Sequence, residues 1–363
     1  MTYRSLFDSS ARVYGRASQL LLRDRAFWPI QTFIEITARC NLRCSFCLFA
    51  RRFDSASNDA GTREELSTDE LRSVIDQIPR LTLITFTGGE PFMRQDLVEL
   101  VEHARRRHRC HIITNATLIG EDTAVRLVEL APRRPFGPGL MFIGVSLHGD
   151  RETHDRVTGR AGSFDQAVAT IRTIQEKKAS AGARFPRFHI TSVISAATVE
   201  RLPAIVATAA ELGVGICNFP LEDRKLDEHI GREVVPADLA RPPQPPDAIP
   251  ERVLRDVYAT TERIARERGV EVRWPRMPFE DVVAHYQNRF DLHGFRCYSP
   301  WTKMYISYYG AAHPCSFLEA GNVRDEPVLE IWNGDVFRAF RRRLRAQHTL
   351  PTCPGCCELV KRH

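Results

Sequence analysis

Cys40-Asn41-Leu42-Arg43-Cys44-Ser45-Phe46-Cys47 places three thiols on one short stretch at Cys-x3-Cys-x2-Cys spacing. It follows Phe33-Ile34-Glu35-Ile36-Thr37, where β-branched and aromatic residues predict a strand, so the thiols fall on a loop just past a strand end. Three is the informative number. A structural zinc site takes four protein ligands, and an ordinary iron–sulfur cluster takes four cysteines. A cluster held by three leaves one iron open to something that is not protein. The spacing by itself leaves open a zinc or redox site completed by a distant ligand.

Outward from this loop, strand-like and helix-like segments alternate to about residue 220. Residues 81–87, 111–114, 141–147, 188–194 and 214–219 read as further strands. Residues 68–78, 95–108, 121–130, 164–177 and 199–212 read as helices, the first from Leu71, Val74, Ile75 and Ile78 at helical recurrence. Six strands separated by five helices predict a parallel sheet covered by helices. Such sheets gather their chemistry at the carboxyl ends of the strands, where the cysteine loop sits. Residues 221–250 break the rhythm. Ala240-Arg241-Pro242-Pro243-Gln244-Pro245-Pro246 favours extended backbone and reads as an insertion or linker, with a flap beside the substrate as the alternative. A helix near 253–268 and a strand at 271–274 follow.

The second strand runs into Gly88-Gly89-Glu90-Pro91. Two glycines there permit positive φ and close backbone approach to a ligand; Glu90 is an acceptor for an ammonium group, and Pro91 limits the turn. A glycine pair alone marks any turn. One at the end of the second strand, about 40 residues past a three-thiol loop, is more specific. Together these elements resemble the signature of the radical S-adenosylmethionine (SAM) enzymes, in which the open iron binds the amino and carboxylate groups of SAM and a GGE motif grips the amino group. Thr114-Asn115-Ala116-Thr117 is similar to that family's TNG element, and Val145-Ser146-Leu147-His148-Gly149 to its SLDG element. The resemblance implies that Asn115 and Ser146 contact SAM, Ser146 at the carboxylate or ribose. It also implies Val193 and Phe219 against adenine, and Phe46 as the aromatic before the last cluster cysteine. His148 stands where aspartate is common. It is a candidate general base, or a hydrogen-bonding support behind the site. Asp150, Glu319 and Tyr298 are further acid–base candidates.

The C-terminal cysteines form a second constellation. Cys297-Tyr298-Ser299-Pro300-Trp301, Gly310 to Cys315, Gly321-Asn322-Val323, Ile331-Trp332-Asn333 and Cys353-Pro354-Gly355-Cys356-Cys357 resemble the twitch or SPASM extension of the same family. Cys297, Cys315, Cys353 and Cys356 suffice for one auxiliary cluster. Zinc is the plain alternative, and Cys357 an alternative to Cys356. Cys110 and Cys217 read as small buried hydrophobes.

The resemblance implies a partial (β/α)6 barrel at 31–220 between an N-terminal extension (1–30) and a linker with a helix (221–290), with the cluster-binding extension at 291–363. Implied cofactors are SAM, its [4Fe-4S] cluster and one auxiliary [4Fe-4S] cluster, with an external donor such as flavodoxin or ferredoxin. The expected activity is SAM cleavage to a 5′-deoxyadenosyl radical and hydrogen abstraction, with an oxidation as the outcome. About 30 residues precede the first strand, too few for a leader-recognition domain. A small polar metabolite (sugar, aminocyclitol or nucleoside) is therefore the expected substrate, peptide maturation the alternative, and an iron–sulfur electron carrier or redox sensor a reading from another class. The rest of the composition narrows little. The chain has 363 residues, 43% of them hydrophobic, a net charge of +6 and ten cysteines. It has no apolar run long enough to span a bilayer and no secretory signal pattern, so a cytoplasmic location is expected and the cysteines point to metal or redox chemistry. The runs Arg105–Arg107 and Arg341–Arg343 read as solvated helix faces rather than a nucleic-acid surface.

Overall fold

The computed structural model describes residues 3–47, 64–134, 137–222, 242–315 and 318–362. Most of the expected insertion at 221–250, including Ala240 and Arg241, lies outside the described residues. A 20-residue helix, α1 (Tyr3–Leu22), stands ahead of the first strand; it leaves Val13, Leu20 and Leu21 exposed. Then come β1 (Gln31–Thr37), α2 (Thr68–Gln77), β2 (Leu83–Gly88), α3 (Leu97–Ala104), β3 (Arg109–Thr114), α4 (Glu121–Glu129) and β4 (Gly139–Ser146). Two helices, α5 (Arg151–Thr158) and α6 (Ser163–Ser180), lead to β5 (Arg187–Thr191), α7 (Leu202–Glu211) and β6 (Ile216–Asn218). The chain continues with α8 (Glu251–Arg268), β7 (Glu271–Arg273), α9 (Phe279–Tyr286), β8 (Phe295–Cys297), β9 (Lys303–Ile306) and β10 (Ala312–His313). It ends with α10 (Val328–Trp332), α11 (Asp335–Gln347) and β11 (Leu359–Lys361).

The six expected strands lie in one sheet in chain order, all parallel. The sheet is wider than six. β7 joins β6 in parallel, and β9 lies parallel to β1 at the other side with β10 antiparallel beyond it. Lys303–Ile306 therefore belongs to the barrel sheet, Gln31 pairing with Lys303 and Ile34 with Ile306. A four-residue strand carries no sign of its partner; pairing is settled by tertiary packing. β8 and β11 form a separate antiparallel ribbon.

Alternation sorts the two faces of the sheet. Ile34, Ile36, Ile84, Phe86, Ile112, Ile143 and Ile190 are fully buried in one core with Leu71 and Val74 of α2, Leu100 of α3 and Ile171 of α6. Each such side chain contributes about 1.5–3 kcal/mol by leaving water. The intervening positions Gln31, Phe33, His111, His189 and Asn218 line a cavity of 460 Å³ instead. An apolar face against helices and a polar one around a cavity make the sheet a barrel wall, with the polar face inside.

Local signals agree with this layout. Ser67 caps α2 and forms a reciprocal pair with Glu70, while Thr68 donates to Asp96 Oδ2 at 2.6 Å. The solvated face expected for Arg341–Arg343 fails at its first member. Arg341 lies four residues after Phe337 and three before Leu344, on the inner stripe of α11. It is fully buried. It donates to the carbonyls of Pro300 (2.8 Å) and Asp24 (3.3 Å) and to Asn333 Oδ1 (3.0 Å), with its guanidinium 4.4 Å from the Trp332 ring centre.

Candidate active site

The cysteine loop after β1 is held from three sides. On the first, Gly88 takes φ +125°, and a Cβ there would lie 2.3 Å from the carbonyl oxygen of Thr37. A Cβ on Gly89 would lie 2.2 Å from the carbonyl oxygen of Arg39 and 2.6 Å from that of Ala38. The amides of Gly89 and Glu90 donate to Thr37 and Arg39, each at 2.8 Å. The close approach that these glycines allow is thus to the backbone leading into Cys40. On the second side, the amides of Arg43 and Ser45 donate to the carbonyls of Thr158 and Val157 at the end of α5, both at 3.0 Å. On the third, Asn41 Nδ2 donates to Thr117 Oγ1 (2.8 Å) and Asn115 Nδ2 to Asn41 Oδ1 (2.9 Å), while Thr117 donates back to Asn115 Oδ1 from both its amide and its hydroxyl. Asn41 was not singled out from the sequence, although its place beside Cys40 was the available signal.

Glu90 closes this arrangement. It is 1% exposed and accepts from Thr114 Oγ1 (2.7 Å), the Asn115 amide (2.7 Å) and the Phe92 amide (3.1 Å). Burial raises its pKa and these three donors oppose the rise. Pro91 starts the short turn Pro91–Met93 that Glu90 caps. Burial, and behind it the neighbouring Cys47 and Cys40, push the Cys44 thiol up to about 12. Cys40 is raised by burial, then by Glu90 and Cys47, against a lowering contact from the Leu42 amide. Among the described residues, no three His, Cys, Asp or Glu side chains converge on a single-ion position. The donor set is all sulfur, which suits iron–sulfur or zinc chemistry. Thiols this hard to ionise become ligands when a metal's positive charge is beside them. The residues present fit a cluster.

Other expected contacts divide. Ser146 ends β4, half-buried beside the loop-bearing strand ends. β5 stops at Thr191, so Val193 lies beyond the strand, where its carbonyl accepts from Thr198 Oγ1 at 2.5 Å. Phe219 is fully buried with its ring 5.3 Å from that of Trp274; packed in the core, it does not offer a face to adenine. His148 is 4% exposed. Its ring stands edge-on to Phe46 at 4.8 Å and stacks on His154 at 6.0 Å, and its amide donates to His154 Nδ1 at 3.0 Å. Burial, and then His154, lower its pKa to about 3. So weak a base accepts few protons at neutral pH, and the geometry makes His148 a support behind Phe46 rather than a general base. Asp150 caps α5 through the Thr153 amide and pairs with Arg201 at 3.2 Å.

The second constellation also assembles. Burial, followed by Cys356, Cys353 and Cys315, pushes the Cys297 thiol far above its ordinary range. β11 returns beside β8, Leu359 opposite Cys297, which carries Cys353 and Cys356 to it. Cys357 is exposed, which favours Cys356 as the fourth thiol. Tyr305 of β9 is raised by burial and then by Glu358, Cys357, Cys315 and Cys356. Its ring stacks on Phe33 at 4.8 Å, so the thiol group abuts a residue lining the barrel interior. Cys110 and Cys217 are fully buried in the apolar core, as expected.

A polar chain that sequence reading missed crosses the interior. Gln31 Nε2 donates to Thr85 Oγ1 (3.1 Å), Thr85 meets His111 Nδ1 (3.3 Å), and His111 Nε2 lies 3.0 Å from His189 Nε2. His189 Nδ1 then meets Asn218 Nδ2 at 2.8 Å. With both rings neutral, Asn218 donates to His189, His189 to His111 and His111 to Thr85; flipping the Asn218 amide reverses the direction. Gly144 makes room for it, because a Cβ there would lie 2.4 Å from His189 Cε1. The signal was present as histidines at alternate, inward positions of two strands.

Four buried histidines, His108, His111, His148 and His154, set an acid sensitivity. Burial lowers His108, His111 and His154 to about 4 and His148 to about 3. The unfolded chain therefore binds more protons as pH falls below about 6.5, so stability is lost between about pH 6.5 and 4, by at most roughly 1.4 kcal/mol per pH unit for each ring. Urea midpoints measured across that window should fall steeply, and His108→Asn should shallow the slope. A flat profile would overturn the assignment.

A family model described as the Radical SAM superfamily matches residues 34–194, and one described as an iron–sulfur cluster-binding domain (SPASM) matches residues 297–357. Fe-coproporphyrin III synthase of Methanosarcina barkeri is 32% identical over 356 residues, with 89% of this chain and 79% of that protein covered. PqqA peptide cyclase of Rhodopseudomonas palustris is 34% identical over 342 residues, covering 90% and 79%. Among solved structures, Streptococcus suis SuiB bound to its precursor peptide SuiA superposes with a TM-score of 0.63 at 17% identity, over 93% of this chain and 74% of SuiB, which shows the shared fold.

Proposed function

Because this chain belongs to the radical SAM superfamily and carries a C-terminal SPASM domain, we propose that it is a maturase that oxidatively modifies a residue of a ribosomally made peptide. The chain is a radical SAM enzyme of the oxidoreductase type with an auxiliary iron–sulfur site. The observation that carries the catalytic half is the three-thiol loop, braced against Gly88 and Gly89 at the carboxyl end of the sheet. Cys40, Cys44 and Cys47 would hold the SAM-binding [4Fe-4S] cluster; Cys297, Cys315, Cys353 and Cys356 would hold one auxiliary [4Fe-4S] cluster. When bound, the cluster and SAM supply a 5′-deoxyadenosyl radical able to take a hydrogen atom from an unactivated C–H bond. The chain's own share is position. Glu90 fixes the β3 end through Thr114 and the Asn115 amide, Asn115 and Asn41 lock the loop to it, and Ser146 lies beside them.

The substrate half rests on the relatives. The peptide cyclase is 34% identical over most of both chains, and none of the relatives described above is named for a sugar or nucleoside, which moves the reading away from a small polar metabolite. The synthase name favours a second reading, a carboxylate-bearing tetrapyrrole. An external electron donor and a cytoplasmic site remain part of the proposal. A deoxyadenosine assay after anaerobic cluster reconstitution separates an enzyme from an electron carrier or redox sensor, which would release none. Replacing Cys315 by alanine should impair peptide turnover while leaving some uncoupled SAM cleavage. Turnover at the normal rate would remove any catalytic role for the auxiliary site.

A further inference from the structure

At the opposite end of the barrel from the cysteine loop, the loops entering β4 and β5 form a cleft of 430 Å³. Arg133, Arg134, Arg184 and Arg187 line it along with Phe142 and Phe185, and no carboxylate is among its described lining residues. All four arginines are exposed. Arg187 carries its guanidinium 5.6 Å above the Phe185 ring, an arrangement that holds the charge in place without neutralising it. The cleft is continuous with the barrel interior, because Phe142 and Arg187 line both it and the 460 Å³ cavity that contains His111 and His189. That cavity is basic as well. Arg109, Arg273, Arg276 and Lys303 line it together with Glu271. Glu271 pairs with Arg273 at 2.7 Å, and Glu358 pairs with Lys303 and, at 3.6 Å, with Arg276, so the stronger uncompensated charge is in the outer cleft.

Four like charges along one cleft repel one another and are solvated at a cost when anything apolar covers them; an anionic occupant removes both penalties. Resting on the peptide reading above, we propose that this cleft docks an acidic segment of the substrate peptide, whose neighbouring residue then enters the interior past Phe142 and Arg187. The groove supplies planar, forked donors suited to carboxylates. Docking energy gained here, remote from the reacting carbon, orients the residue presented to the interior.

The test needs no cluster. Anisotropy of a fluorescein-labelled hexaglutamate peptide is measured on the full-length protein as isolated, with hexaglutamine as the neutral probe and coproporphyrin III as a competitor. The paired substitution Arg184→Gln with Arg187→Gln should weaken hexaglutamate binding by about tenfold or more, the loss expected for two charge-assisted contacts. Both residues are exposed, so the fold survives their change; Arg345→Gln, exposed on α11, should leave binding as it was. Equal affinity in the paired variant, or hexaglutamine binding as well as hexaglutamate, overturns the proposal. Arginine-dependent binding of the porphyrin without any of the acidic peptide overturns the choice of a peptide. Lack of deoxyadenosine from the reconstituted wild-type enzyme would sink the catalytic reading and leave this binding result intact.

Discussion

Replacing Cys44 by alanine should reduce 5′-deoxyadenosine formation to the level of an enzyme-free control. Cys44 is the middle thiol of the loop, and it interacts electrostatically with both Cys40 and Cys47. Losing it would leave two ligands for the proposed SAM-binding [4Fe-4S] cluster, so iron content should fall by about four per chain if the auxiliary site stays filled. The fold should persist, because the loop is pinned through main-chain bonds from Arg43 and Ser45 to the end of α5, which the substitution does not touch. Far-ultraviolet circular dichroism would check that point. Deoxyadenosine at the wild-type rate would remove the three-thiol loop from the chemistry.

Gly89→Ala should produce nearly the same loss without touching a ligand. The new methyl group would meet two carbonyl oxygens at 2.2 and 2.6 Å. Both belong to the backbone that delivers Cys40, so no side chain can swing aside. Relief requires the β1–loop junction to shift, at a cost of about 1–3 kcal/mol for overpacking of this kind. The expected result is a folded but less stable protein whose cluster absorbance falls and whose SAM cleavage is nearly abolished. Gly120→Ala is the matched control, since nothing lies within 4 Å of a Cβ there. A Gly89→Ala protein with full cluster occupancy would mean that the loop tolerates displacement of Cys40.

The sequence made legible what repeats or clusters along the chain. The alternation of apolar runs gave the six parallel strands, because buried strands and amphipathic helices each have a period of their own. The thiols were legible because their spacing is local, and Cys353 and Cys356 for the same reason. What escaped depends on contacts between distant segments. The lateral partner of β9 is chosen by packing, not by its four residues. Arg341 sits in a basic run whose only hint of burial is its place on the apolar stripe of α11. Phe219 has the composition of a strand end open to a ligand, but Trp274, more than fifty residues on, takes its ring into the core. His111 and His189 become a pair because the barrel curves and Gly144 leaves space between them, and neither fact can be read along one strand.

The parallel pairing of Lys303–Ile306 with β1 has a practical consequence for anyone wishing to isolate the catalytic half. Cutting the chain near residue 290 would strip a neighbour from the strand that delivers the thiol loop and bare its amide and carbonyl edge, the kind of surface that recruits other chains. The same cut would release the hold that Arg341 has on the carbonyl of Asp24. Such a fragment should come out as aggregate, and the two cluster-bearing portions are better regarded as one folding unit than as modules to be exchanged.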